Sequence, residues 1–295
     1  MKATLRYLAG IAGPSGFGSN STAEQVTQDF SSFLPSNLTA LITGATSGIG
    51  AETARVLAKR GVRVVIGARD LKKAREVREK IQKESPGAEV ILLEIDLSSF
   101  ASVQRFCSEF LALDLPLNIL MNVLSELGIL RRQNRNDICY KLLRTFFVNE
   151  NAGRENDRYG TEVSYNGTRA YAQSKLATIL HVKEVARQLK ERNAKVTINA
   201  VHPGIVKTGI IRAHKGLITD SLFFIASKLL KSISQGASTT CYVALSGKTE
   251  GVSGKYFTDC NESNCSSLAN EESEARKLWN DTYALLHKRL RQATN

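Results

Sequence analysis

The sequence predicts an α/β protein built on a doubly wound parallel sheet, a three-layer sandwich with helices on both faces. Three observations predict it. Short apolar runs rich in β-branched residues alternate with helix-length stretches along most of the 295 residues, the rhythm of strand–helix–strand units joined by right-handed crossovers. The first apolar run, Leu38 to Ile42, breaks into a glycine-rich turn, Thr43-Gly-Ala-Thr-Ser-Gly-Ile-Gly50, that opens straight onto a helix. The second, Val62 to Ile66, is apolar almost without interruption, as a strand buried on both faces must be.

In chain order, the first 18 residues carry Lys2 and Arg6, no acid and several Gly, which fits an organelle-targeting or interfacial segment as well as a disordered tail; residues 1–35 are expected to be a flexible N-terminal segment preceding one domain over 36–295. After the glycine turn a helix runs over Ala51–Arg60, and Gly61 separates it from the second strand. Glu89–Asp96 is a third strand, followed by a helix that Ser98 or Ser99 can cap. Leu117–Met121 is a fourth. The rhythm resumes with a long helix over about Thr168–Glu191, a strand over Lys195–Val201, two helices within 219–247 and a short final strand, Gly254–Phe257. The chain closes on a basic amphipathic helix, Glu274–Arg291, with Trp279, Leu285, Leu286 and Leu290 on its apolar positions. That helix fits packing onto the domain, and it also fits a calmodulin-type target.

Composition narrows the function. The net charge of +12 is scattered along helices (Arg55, Lys59, Arg60, Lys72, Lys73, Arg75, Arg78) with no interleaved aromatics, which argues against nucleic-acid binding and for attraction of an anionic cofactor. Cys107, Cys139, Cys241, Cys260 and Cys265 are odd in number and lack metal-site spacing, so reduced thiols and no metal are expected. No apolar run reaches membrane-span length; Leu217–Leu230 comes nearest and is broken by Asp220 and Lys228.

The chemistry concentrates at two places. A strand that ends in a glycine turn and re-emerges as a helix collects free backbone N–H groups and the positive helix end at one point, which suits a pyrophosphate. Gly44 permits the turn, Gly48 lets the backbone approach the phosphates and Gly50 allows close helix packing, with Ser47 and Ile49 completing the loop. Arg69 stands at the end of the second strand, 19 residues past Gly50. An acid there would bind the ribose hydroxyl of NAD, whereas a guanidinium accepts a 2′-phosphate, so NADP is expected, with Asp70 one position later as the competing candidate. In the long helix, Tyr171 and Lys175 lie at i and i+4 on one face. A phenol with a pKa of about 10 is a poor acid or base at neutral pH until a neighbouring ammonium favours phenolate.

Together these residues resemble the short-chain dehydrogenase/reductase family over roughly 36–122 and 165–285: the glycine turn, Asp96-Leu97 after the third strand, Tyr171-x-x-x-Lys175, and His202-Pro203-Gly204 with Thr208. The resemblance implies a Rossmann-type fold and NADP(H)-dependent hydride transfer between nicotinamide and a carbonyl or alcohol. It also implies that Asp96 contacts adenine, Tyr171 is the proton donor or acceptor, Lys175 holds the nicotinamide ribose, and Pro203, Gly204 and Thr208 lie against the nicotinamide and pyrophosphate. Gly13–Gly18, Ser21–Thr27 and Val252–Phe257 resemble a plant subgroup. That implies peripheral residence at the chloroplast inner envelope, with cytoplasmic residence as the alternative, and import-machinery or calmodulin partners.

The resemblance breaks across 122–165. The family's N-N-A-G after the fourth strand is Met121-Asn122-Val123-Leu124 here, so only Asn122 matches, and the fifth strand with its catalytic serine has no counterpart. Ser164 lies 7 residues before Tyr171 and is too close. Thr145–Val148 fits either a substitute strand or part of an amphipathic helix from Asp137, while 131–136 and 150–160 look like loops. One central strand is therefore either missing or replaced by Thr145–Val148. Two functions remain: the oxidoreductase, impaired by loss of the serine segment, and a non-catalytic NADP-binding regulatory protein with a C-terminal partner helix.

Overall fold

The computed structural model describes residues 7, 9–30, 34–35, 37–123, 127–132, 167–207 and 230–294, with side chains left aside over 127–132, 167–171, 285–287 and 289–294. Four strands open the domain: β1 (Thr39–Thr43), β2 (Arg63–Ala68), β3 (Val90–Glu94) and β4 (Ile119–Asn122). All are parallel, in the spatial order β3-β2-β1-β4. The order reverses between β1 and β4, the switch point at which doubly wound sheets open a crevice at their carboxyl ends. Helices α2 (Gly48–Lys59), α3 (Leu71–Glu84) and α4 (Phe100–Ala112) connect these strands, and a short α1 (Ala23–Thr27) precedes them.

Near-continuous apolarity of the strands has a direct cause. Ala40, Ile42, Val64 and Ile66 enter the core under α2 and α3, while Leu41 and Val65 enter a second core with Phe106 and Phe110 of α4. Successive residues face opposite layers, so both must be apolar. The helix start signals also act as expected. Asp70 accepts the Lys72 and Lys73 amides at 3.0 and 3.2 Å, and Ser99 accepts that of Ser102 at 3.3 Å.

Beyond β4 the sheet continues through β5 (Leu127–Arg132), β6 (Val196–His202), β7 (Tyr256–Thr258) and β8 (Asn261–Ser263). The central slot is therefore filled, which corrects the expectation of a missing strand, but β5 runs antiparallel to both neighbours. Arg131 and Arg132, expected in a loop, pair with Thr197 and Val196. A reversed strand meets the same need as a parallel one, because the backbone groups of β4 and β6 cannot be left unpaired inside a sheet. Thr145–Val148 and Ser164 lie outside the described residues.

The remaining helices are α5 (Gly167–Glu191), α6 (Ile233–Leu245) and α7 (Glu272–Thr294). Of the two helices expected within 219–247, only α6 falls on described residues. The chain does not finish at β7. Asp259 and Cys260, at φ 51° and 63°, make a two-residue turn of the kind that suits strand twist and lead into β8. The usual Asn-Gly signal for such a turn is absent. Instead the Cys260 N–H donates to Thr239 Oγ1 at 3.1 Å and its side chain is fully buried.

Residues 9–30, expected within a flexible tail, are packed. Ala23 and Val26 are buried in the first core, Thr22 and Gln25 form a reciprocal capping pair, and the Phe17 ring meets Tyr242 edge-on at 5.9 Å. At the other end, Trp279 of α7 stacks on His181 of α5 at 5.5 Å. The first half of α7 thus packs onto the domain. No helix among the described residues is long and apolar enough to cross a membrane.

Candidate functional site

Every described sequence-predicted site residue falls at the carboxyl edge of the parallel strands or on a helix that starts there. The glycine turn follows β1. Gly44 has φ 74° and Gly48 φ 56°, both in the left-handed region that glycine adopts without strain. A Cβ added at Gly48 would meet nothing within 4 Å, so its outer face is open space, where a phosphate could approach. Gly50 is the opposite case. A Cβ there would lie 2.2 Å from the Gly44 carbonyl oxygen and 3.0 Å from the Ala45 Cα, so the helix packs on the turn itself.

The start of α2 is also left available. Ser47 is its N-cap, but the Ser47 side chain does not bond the first-turn amides, whereas Thr22, Asp70, Ser99 and Ser232 do so for α1, α3, α4 and α6. Free amides at the positive end of a helix suit an anion. Ile49 is half-buried against the first core.

At the end of β2, Arg69 is exposed, and its charge reaches Asp96 at the end of β3. Asp70, the competing candidate, has its carboxylate engaged as the cap of α3. Both capping bonds fall on Asp70 Oδ1, while the neighbouring Arg69 is turned to the surface. Asp96 accepts the Ser98 hydroxyl at 2.7 Å and the Ser98 amide at 2.9 Å. These two bonds, with the more distant Arg69 charge, hold its carboxyl below the usual range. The neighbouring Leu97 is partly buried in the second core, which fixes the chain beside it.

Asn122 ends β4. It is only 1 % exposed, and its Oδ1 accepts the Thr43 hydroxyl at 2.9 Å. This pair ties the end of β4 to the residue preceding Gly44, a contact that the sequence pattern did not single out on the Thr43 side. After β6, the Gly204 N–H donates to His202 Nδ1 at 3.0 Å and Gly204 has φ 80°, so Pro203 sits in a tight turn with a glycine-only conformation. Tyr171 and Lys175 are one turn apart on α5, and Lys175 is half-buried. Thr208 and the Tyr171 side chain lie outside the described residues.

At this edge the reversed β5 brings Leu127 opposite Val201 and Gly128 opposite Asn122. Neither residue carries a hydroxyl. A parallel strand in that slot would instead present its last residues there.

A reversal of strand order at this edge, a glycine turn opening onto a helix start with no side-chain cap and a Tyr-x-x-x-Lys turn are features of a dinucleotide-binding oxidoreductase class. The sequence profile of the short chain dehydrogenase family matches residues 38–144 and 159–215. A relative from Brassica napus, short-chain dehydrogenase TIC 32 B, chloroplastic, is 41% identical over 95% of this chain and 97% of its own. Human retinol dehydrogenase 14 is 36% identical over 82% and 84%. The chain belongs to the short-chain dehydrogenase/reductase family. Among solved structures, a hydroxysteroid dehydrogenase from Escherichia coli covers 76% of this chain and 96% of its own with a TM-score of 0.55 at 20% identity. An actinorhodin polyketide ketoreductase with NADPH covers 80% and 98% with 0.54, also at 20%. At such identities these two speak for the fold alone.

Proposed function

We propose that this chain is an NADP(H)-binding oxidoreductase acting on a carbonyl or alcohol, with turnover reduced by its altered central segment. The observation that carries the reading is the cradle at the carboxyl edge: Gly48 opens onto free space, the first-turn amides of α2 are uncapped by Ser47, and Arg69 stands free of the capping duty that occupies Asp70. These groups fit a pyrophosphate and a 2′-phosphate. Asp96 lies where adenine would meet the third strand end, and Pro203 and Gly204 where the nicotinamide half would rest.

When bound, the cofactor supplies or accepts the hydride. The chain's own residues then handle the proton. Tyr171 holds the proton given to the carbonyl oxygen, or takes it from an alcohol. Lys175, one turn along the same face, favours the phenolate and so brings the phenol toward working pH. The family's polarising hydroxyl has no counterpart on β5, and losing one such donor costs about 10²–10³ in rate. The family profile leaves residues 145–158 unmatched, which supports an altered central segment, and the 314 aligned positions with the Brassica napus relative exceed the 295 residues here.

Likeness to that chloroplastic relative supports residence in the chloroplast; a peripheral place at the inner envelope, with import-machinery contacts or calmodulin at α7, rests on the plant-subgroup resemblance alone. Titration with NADPH and NADH, followed by turnover on a panel of carbonyls, tests the proposal. Saturable NADPH binding with slow turnover supports it; binding with no turnover favours the regulatory reading; no binding removes both.

A further inference from the structure

The cofactor edge is backed by a buried ion pair that the function above does not use. Lys231, 3 % exposed, has its Nζ 2.5 Å from Asp259 Oδ1 in the turn between β7 and β8. Its aliphatic stem lies flat against Gly204: a Cβ built there would meet Lys231 Cδ at 2.9 Å, Cε at 3.0 Å and Nζ at 3.2 Å. The Lys231 main chain brackets the same turn, its N–H donating to the Ile205 carbonyl at 2.9 Å and its carbonyl accepting the Lys207 N–H at 3.0 Å.

Tyr7 closes the cluster from the N-terminal segment. Its ring centroid lies 5.9 Å from the Lys231 ammonium. The segment carrying Tyr7 is itself fastened to the domain. Ser19 Oγ donates to the Tyr7 carbonyl at 2.6 Å, Asn261 Nδ2 donates to the Phe17 carbonyl at 3.0 Å, and the Ser15 N–H donates to Asn261 Oδ1 at 2.9 Å. Asn261 adjoins the Asp259 turn, so one hairpin anchors both the ammonium and the segment.

We propose that Tyr7, Lys231 and Asp259 are positioning residues, through which the N-terminal segment clamps the Pro203–Lys207 turn in the shape that receives the nicotinamide half of the cofactor. A turn built on Gly204 has no side chain of its own to hold it and samples more conformations than any other residue would. The Lys231 stem stands in for that missing side chain, and an ammonium bound to Asp259 under an aromatic ring cannot swing away. Fixing a binding turn beforehand removes an ordering cost that would otherwise weaken binding. The inference rests on the NADP(H) reading and gives Gly13–Gly18 and its surroundings a task.

The test uses the full chain and two probes, NADPH and adenosine 2′,5′-bisphosphate, which carries only the adenosine half. Lys231→Ala and Tyr7→Ala are expected to raise the NADPH dissociation constant about tenfold while leaving adenosine bisphosphate within about twofold. Tyr7→Phe, which keeps the ring, should fall between wild type and Tyr7→Ala. Equal weakening of both probes, or of neither, overturns the proposal, since a general loss of structure would not spare the adenosine half. If Lys231→Ala fails to fold, Tyr7→Ala in the half-exposed segment decides alone. Wild-type protein that binds neither probe refutes the NADP(H) reading and this inference together, whereas wild type binding both with unchanged variants refutes only this inference.

Discussion

Replacing Gly50 by alanine separates two opposing effects that the structure quantifies. Gly50 lies inside α2, where alanine normally stabilises a helix by about 0.5–1 kcal/mol. Here the added carbon would sit 2.2 Å from the Gly44 oxygen, 2.8 Å from the Gly44 carbonyl carbon and 3.0 Å from the Ala45 Cα. Ordinary contacts lie at about 3.5 Å, so the turn must retreat by roughly 1 Å. All three obstacles are main chain and cannot rotate away, which puts the strain near the upper end of the about 1–3 kcal/mol seen for overpacking. The net expectation is a loss of about 2 kcal/mol, or about 4–8 °C in melting temperature. NADPH affinity should fall with it, because the displaced turn is the proposed phosphate cradle. Melting followed by circular dichroism and NADPH titration by fluorescence read the two quantities. A Gly50→Ala protein that melts at or above wild type, as helix propensity alone demands, refutes the close-packing argument.

Gly48→Ala should behave differently: its Cβ enters open space at φ 56°, so stability falls by only about 1–2 kcal/mol from backbone strain while NADPH binding is lost to a larger degree, measurable by the same titration. Arg69→Ala should weaken NADPH by about 10–100-fold, as expected for a charge-assisted contact of about 1.5–3 kcal/mol, and leave NADH nearly unchanged. Asp70→Ala should instead lower the melting temperature through about 1 kcal/mol of lost capping without altering the preference between the two. Asn122→Ala leaves the Thr43 hydroxyl without its buried acceptor and should cost about 1–3 kcal/mol in denaturant unfolding. His181, pushed down to about 4 by burial, with Glu184 opposing, contributes stability that is complete above its ordinary value of about 6.5 and fades as the pH falls from there toward 4. Because the ring is only half-buried, the effect should be about 1–2 kcal/mol, and His181→Phe should flatten the melting profile across that window.

Much of the candidate site was legible because its signals are local. Thr43–Gly50, Arg69, Asp96 and the Tyr171–Lys175 spacing each depend on a strand end or a single helical turn, and strand ends are marked by where the apolar run stops. The hairpin at Asp259–Cys260 was not legible, because two residues with no usual turn signature are held in the left-handed region by burial against Thr239. Residues 9–30 were misread as a tail for a related reason. Their glycines and serines break up the apolar pattern, and contact with α6 and α2 reveals that Ala23 and Val26 are core.

The sequence by itself determined a doubly wound parallel sheet, the glycine turn after its first strand and the choice of Arg69 as a cofactor-selecting candidate, since each follows from periodicity, glycine placement and spacing along one stretch of chain; the order β3-β2-β1-β4 belongs to the tertiary structure. Only the tertiary structure decided that Asp70 is spent as a cap, that Lys231 and Tyr7 stand behind Gly204, and that the central slot is filled by Leu127–Arg132 running backwards. Strand direction leaves no mark in the six residues Leu127–Arg132, because the side-chain alternation is the same whichever way it is traversed. What fixes the direction is the connection: only four residues lie between Asn122 and Leu127, too few for the crossover that a parallel neighbour needs, and that constraint appears only once Leu127–Arg132 is known to be the strand.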